Sequence, residues 1–336
     1  MVKWGVLGTA NIAKGCTIPG MKKADNCELY AIAGRNEDKV KAYKEEFGFA
    51  KSYVGYEKLL EDPDVRAVYI PLPNHLHKEW VLRALRAGKH VLCEKPLALN
   101  AEDAAEMFEA AKENGVILME AYAYLHTPYI EALKKEIKDG SIGDVDYVET
   151  AFLTQGYTDD IRLYKEMGGG AVFDLGCYCT TMILSLIGSE PDLVMGRAEF
   201  NEYGADAFTA VMMKFKNGVR AAFNVGMIFE PGSDARWDRL YIHGSKGFIE
   251  SKVEYNESGE LSYTVVSDGI RTEKKVTAGH NYMLEVEQLG RCIENGEKQH
   301  VTPEFSVRNA KLLDTILEQI GYRCPHTVNM TRSARL

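Results

Sequence analysis

The chain has 336 residues, 46% hydrophobic and 26% charged, a balance that excludes disorder, collagen and coiled coil at a length beyond the usual single domain. Lysine and arginine number 40 against 49 aspartates and glutamates, a formal charge of −9 without an evident basic face, so nucleic acid is not an expected partner. No apolar run reads as a bilayer span, residues 1–8 lead straight into a strand, and seven cysteines include no C-x-x-C pair, which together predict a cytoplasmic protein with no membrane association, disulfide framework or bound metal.

Up to about Ala121, short β-branched runs alternate with helical patterns. Residues 3–7, 28–33, 65–70, 90–93 and 116–119 read as strands, the rhythm of a parallel sheet with crossover helices. Asn36 opens one helix that Gly48 closes, and Asn100 with Asp103 opens another that Gly115 ends. After a helix over 128–138 the pattern changes to longer alternating stretches, 144–153, 194–203, 207–215 and 219–225, which read as an antiparallel meander. Asn217-Gly218 predicts a tight two-residue hairpin turn. Strands at 239–242, 247–251, 261–266 and 272–276 follow, then helices near 282–295 and 307–320, and a polar tail from 324 to 336. The expected fold is α/β: an N-terminal Rossmann dinucleotide-binding unit, 1–121, and a C-terminal α+β unit, 122–336, with an open, predominantly antiparallel sheet.

The first strand runs into Gly8-Thr9-Ala10-Asn11-Ile12-Ala13. This is a degenerate glycine fingerprint whose small residues let a pyrophosphate approach backbone N–H groups at a helix start. At the end of the second strand, where an acidic residue would favour NAD(H), stands Gly34-Arg35-Asn36. Arg35 suits a 2′-phosphate, so NADP(H) is favoured over NAD(H). The segments around Pro71, Asn74 and His77 and around Glu94 and Lys95 follow strand carboxyl ends, where open α/β sheets bind ligands, and are candidate cofactor contacts. A lysine held beside a nicotinamide donates to a substrate oxygen or lowers the pKa of a neighbouring hydroxyl. Downstream of Gly168-Gly169-Gly170, Asp174 and Tyr178 lie four apart on one expected helical face.

These motifs, with AGKHVLCEKP, MEAYAY from Met119 and GGGAVFDLGCY, resemble the glucose-fructose oxidoreductase and inositol dehydrogenase (Gfo/Idh/MocA) family over nearly the whole chain. Tyr178, where many members carry histidine, is similar to the branch of dimeric dihydrodiol dehydrogenases and NADP-linked D-xylose dehydrogenases. The resemblance implies that Lys95, Asp174 and Tyr178 converge as catalytic residues over the nicotinamide, with Arg162 and Tyr122 as substrate contacts. The implied reaction is hydride transfer between the cofactor and a sugar, polyol or vicinal diol CH–OH, Tyr178 exchanging the hydroxyl proton with its pKa lowered by Lys95. Alternatives are a cofactor-retaining redox glycosidase or lyase and a non-catalytic cofactor-binding regulator. Specificity is expected in loops 157–165 and 229–237. Apolar side chains on both faces of the strands in 144–276 predict a homodimer packed sheet to sheet.

Overall fold

In the computed structural model, which describes residues 1–253, 255 and 258–322, two sheets share one chain; the tail at 324–336 lies outside the described residues. The first half runs β1 (Val2–Leu7), α1 (Ile18–Lys23), β2 (Cys27–Gly34), α2 (Glu37–Phe47), β3 (Lys51–Val54), α3 (Tyr56–Leu60), β4 (Ala67–Ile70), α4 (His77–Arg86), β5 (His90–Glu94), α5 (Ala101–Glu113) and β6 (Leu118–Ala121). Its strands form a parallel six-stranded sheet in the order β3-β2-β1-β4-β5-β6, the doubly wound Rossmann arrangement. The strands carry near-continuous apolar runs because both faces are covered: Val6, Ile32, Val68 and Val91 are fully buried. The Asn36 and Asn100 side chains accept the Lys39 and Asp103 amides, capping α2 and α5 as their sequences require. Strand β3 was not foreseen, since Lys51-Ser52-Tyr53-Val54 is a short, half-buried edge strand without apolar alternation.

The second half adds α6 (Pro128–Lys138), β7 (Val145–Gln155), α7 (Cys177–Ile187), β8 (Pro191–Phe200), β9 (Asp206–Phe215), β10 (Arg220–Phe229), β11 (Arg236–Gly244), β12 (Gly247–Ser251), β13 (Gly259–Ser267), β14 (Ile270–Ala278), α8 (Asn281–Asn295) and α9 (Pro303–Gln319). The eight strands are ordered β14-β13-β12-β11-β7-β10-β9-β8. The sheet is mainly antiparallel but not a simple meander: β7 lies between β11 and β10 and pairs parallel with β10. Strand order between sequence-distant partners leaves no trace in period-two alternation, so the sequence pattern misplaced it. The β9–β10 hairpin also differs from expectation. Gly218 N–H bonds to Phe215 O and Phe215 N–H to Val219 O, a three-residue loop in which Gly218 (φ 91°) has a positive φ and Asn217 does not.

The stretch Lys165–Ile187 proves long and apolar enough to match a membrane span, contrary to the expectation, but it is mostly buried inside the fold. Its apolarity serves the core between β7 and α9, where Cys177, Cys179, Met182 and Ile183 are fully buried. Helices α8 and α9 return to pack on α1 and α5 of the first half. On the opposite face of the eight-stranded sheet, Met195 and Met212 are exposed among the described residues.

Candidate active site

A cleft of about 810 Å³ runs from the glycine turn after β1 to the face of β7 and β11. At one end lie Gly8, Thr9, Ala10, Asn11 and Ile12. Gly8 has φ +128°, and a Cβ there would come within 3.1 Å of Leu72, so only glycine leaves the turn open. The helical turn that begins at Asn11 has amides without intrahelical acceptors, as a pyrophosphate requires. Arg35, Asn36, Lys39 and Tyr56 form the outer edge of this end, two cations and no carboxylate, which fits a ribose bearing a 2′-phosphate. Lys39 and Tyr56 escaped the sequence reading because they lie in helices that show only solvent-face and core patterns.

Pro71, Asn74, Glu94 and Lys95 also line the cleft. Asn74 Nδ2 donates to Gly168 O at 2.8 Å, joining the two halves along the cleft wall. Glu94 accepts from the Tyr69 hydroxyl at 2.5 Å, and Thr17 donates to Tyr69 at 2.9 Å. Burial raises the Glu94 carboxyl above its ordinary range, with the Tyr69 bond opposing. His77, expected as a cofactor contact, is instead fully buried beneath the cleft, with Nδ1 2.9 Å from Pro96 O and Nε2 2.7 Å from Leu72 O. As the first residue of α4 it turns inward and ties together the turns after β4 and β5.

The far end carries the charged cluster. Gly170 precedes it because a Cβ there would lie 2.1 Å from Asp206 Oδ1, while Asp206 Oδ2 accepts the Val172 amide at 2.9 Å and anchors the helix start. Residues Val172–Gly176 form a π turn continuous with α7. In this turn the Cys177 amide reaches back to Val172 O, and Lys95 Nζ bonds Asp174 O at 2.8 Å as well as Asp174 Oδ1 at 3.0 Å. Arg162 Nε holds the other carboxylate oxygen at 2.7 Å, and its Nη1 bonds Asp160 Oδ1 at 3.0 Å. One carboxylate thus bridges two cations. Burial opposes charge on Asp174, but Arg162 and Lys95 outweigh it and hold the carboxyl well below its usual range. Burial likewise opposes charge on Lys95, and Asp174 outweighs it, so the ammonium is held above its ordinary value.

Tyr178 stands on α7 with its ring 4.7 Å from Lys95 Nζ, and it lines the cleft. The ammonium lies over the ring face. Burial pushes the phenol up and Lys95 pulls it down, with burial the larger effect, so Lys95 moderates the Tyr178 pKa without bringing it below the free value. That corrects the expectation of a net lowering. Tyr122, expected at the substrate, is fully buried behind Tyr178, ring centroids 5.9 Å apart and edge to face, with its hydroxyl accepting from Asn309 at 3.2 Å. It packs against the helix that carries Tyr178. Phe152, Thr154 and Tyr157 line the cleft from the end of β7 and the loop beyond, and Arg236 from β11, its guanidinium 4.6 Å over the Phe152 ring and paired to Asp238 at 2.7 Å. Tyr157 lies in the first loop expected to set specificity, whereas Arg236, within the second stretch at 229–237, is already the first residue of β11.

Residues 2–122 match the oxidoreductase family with an NAD-binding Rossmann fold, GFO/IDH/MocA, and residues 130–250 match the C-terminal domain of the same family. The chain belongs to this family. The GFO/IDH/MocA assignment extends over full-length relatives. D-xylose 1-dehydrogenase (NADP(+)) 2 of Haloferax volcanii is 33% identical over 323 residues, covering 94% of this chain and 96% of the relative. Trans-1,2-dihydrobenzene-1,2-diol dehydrogenase of Xenopus laevis is 30% identical over 339 residues, 96% of this chain and 99% of the relative. Among solved structures, a 3-ketoreductase from Actinomadura kijaniata in complex with NADP and TDP-benzene superposes with a TM-score of 0.89 at 28% identity, covering 95% of this chain and 98% of that one. The protein is therefore an oxidoreductase with a nicotinamide-binding Rossmann unit.

Proposed function

We propose that this oxidoreductase moves a hydride between NADP(H) and a CH–OH carbon of a sugar, polyol or vicinal diol, with residues 1–121 holding the cofactor and 122–336 the substrate. The observation that carries this reading is the convergence of Lys95, Asp174, Arg162 and Tyr178 at one end of a cleft whose other end is the Gly8–Ile12 turn. The relatives named for NADP-linked xylose and dihydrodiol dehydrogenation support the substrate class. When bound, the nicotinamide supplies the hydride acceptor or donor. The protein's part is proton transfer and charge stabilisation. Tyr178, buried but open to the cleft, takes the proton of the substrate hydroxyl or returns it to the carbonyl oxygen. Lys95, held as an ammonium by Asp174, stabilises negative charge developing on that oxygen. Arg162 fixes the second Asp174 oxygen, so the ammonium has one orientation rather than several. Turnover of aldoses, polyols and vicinal diols with NADP+ tests the reading; formation of reduced cofactor with at least one of these classes is expected, and none with any class overturns it.

Arg35 and Lys39 carry the cofactor preference. Arg35→Asp places a like charge against the 2′-phosphate and weakens NADP(H) binding by about 10- to 100-fold more than NAD(H). Fluorescence titration with both cofactors measures it, and equal losses would show that Arg35 does not face the phosphate.

We infer a homodimer through the open sheet face. A cross-strand row on that face runs Met195, Met212, Ala222, Glu149 and Tyr241, with Met195 52% and Met212 61% exposed. Leu193 and Trp237 are further exposed apolar groups on the same sheet. Burying this face against its copy removes apolar surface from water. Light scattering is expected to give twice the 37.6 kDa of the chain; a single-chain mass with and without cofactor contradicts the assembly.

A further inference from the structure

We propose that Glu120 is a positioning residue for Lys95: its carboxylate grips the backbone just beyond the lysine, and its ionisation sets the strength of that grip. The inference rests on the reading of Lys95 given above. Lys95 leaves β5 on a short segment whose next two residues, Pro96 and Leu97, are fastened from below by two buried side chains. His77 meets Pro96 O, and Glu120 Oε1 accepts the Leu97 amide at 2.9 Å.

Glu120 sits on β6, 3% exposed, and does not line the cleft. Its second oxygen, Oε2, makes no close hydrogen bond, although the hydroxyls of Tyr122 and of Ser306 on α9, itself 2% exposed, act on the carboxyl and favour its charged form. An amide in its place would cap the Leu97 amide without carrying a charge. A charge changes the bond it makes. Hydrogen bonds to an ionised acceptor are about twice as strong as neutral ones, and the ionised group also attracts the Lys95 ammonium.

The groups facing Glu120 are few. Lys95 and the Leu97 amide approach from the β5 exit, Cys93 from β5 itself, Tyr122 from its own strand, Cys177 from the turn into α7, and Ser306 from α9. Lys95 is the single cation among them. Burial pushes the Glu120 carboxyl up to about 7, against the Ser306, Leu97 and Tyr122 contacts and Lys95, which pull it down. The grip on the lysine segment accordingly strengthens as pH rises through neutrality.

The test uses Glu120→Gln, which keeps an acceptor for Leu97 and nearly the same volume but cannot ionise. Two readouts are needed. Amide hydrogen exchange at Leu97, corrected for its intrinsic pH dependence, is expected to show about 3- to 10-fold greater protection above pH 7 than below it in the wild type, and pH-independent protection in Glu120→Gln. In the kcat profile, a limb rising with its midpoint near 7 is expected in the wild type and absent in Glu120→Gln, with KM for the cofactor within about 3-fold. Pure structural support would lower kcat by the same factor at every pH. Leu97 protection that does not change with pH in the wild type, or a limb that persists unchanged in Glu120→Gln, overturns the proposal. A wild type that turns over no substrate yet shows the expected exchange pattern would discard the dehydrogenase reading and leave the Glu120 grip standing.

Discussion

Tyr178→Phe is expected to lower kcat by about 10²- to 10⁴-fold while leaving the cofactor Kd within about 3-fold of the wild type. The substitution removes one oxygen and leaves the ring packing, against Tyr122, Tyr124, Phe152 and Tyr255, in place. No protein group bonds the hydroxyl among the described residues, so its loss leaves no buried partner unsatisfied and the fold should keep its stability. That separates chemistry from structure. Because burial holds the phenol above its free value and Lys95 only moderates it, the group spends the neutral range as a proton donor. Tyr178 itself should consequently add no limb to carbonyl reduction in the neutral range, leaving there only the rise assigned to Glu120, whereas alcohol oxidation, which needs the deprotonated group, should climb further with pH on the alkaline side. Steady-state rates in both directions measure this, and a Tyr178→Phe enzyme with near-native turnover would remove the residue from the mechanism.

Asp174→Ala is expected to abolish turnover and destabilise the protein together. Asp174 is 15% exposed and holds Lys95, 11% exposed, through one oxygen and Arg162 through the other. Removing the shared anion leaves Lys95 without its counter-ion and Arg162 with Asp160 alone; breaking a buried pair costs about 3–5 kcal/mol, and the remaining Asp160 partner and solvent at the 34%-exposed Arg162 reduce this to about 2–3 kcal/mol. The pH dependence has a definite sign. The Asp174 carboxyl is depressed in the folded protein, so its contribution is complete above the unfolded value of about 4 and is lost only as pH falls toward the lower folded value. Wild type and Asp174→Ala should therefore differ most in urea midpoint at neutral pH and converge in acid. Equal midpoints at neutral pH would show that the network contributes nothing to the fold.

The Rossmann half was legible because its strands are short apolar runs closed by asparagine caps and glycine turns, all local signals. The cofactor turn could be placed for the same reason. Lys95 and Asp174, 79 residues apart, could be joined only through the family resemblance, since no periodicity links the exit of one sheet to the helix start of another domain. Residue type alone failed where direction decides the outcome. Tyr122 and His77 belong to motifs that line ligand sites, yet both point beneath the cleft, one propping Tyr178 and the other bridging two backbone carbonyls. The π turn that presents Asp174 O to Lys95 has no sequence marker, and Glu120 reads as an ordinary residue of MEAYAY until the Leu97 amide is seen on it.

The account turns on hydride transfer, and a substrate labelled with deuterium at its carbinol carbon tests that most directly. After turnover with oxidised cofactor, the label should be found in the reduced nicotinamide product in stoichiometric amount, with a slower rate than for the unlabelled substrate when chemistry limits turnover. Label retained by the product or lost to solvent, with no net cofactor reduction, would contradict a dehydrogenase and point to a site that recycles its cofactor in every turnover.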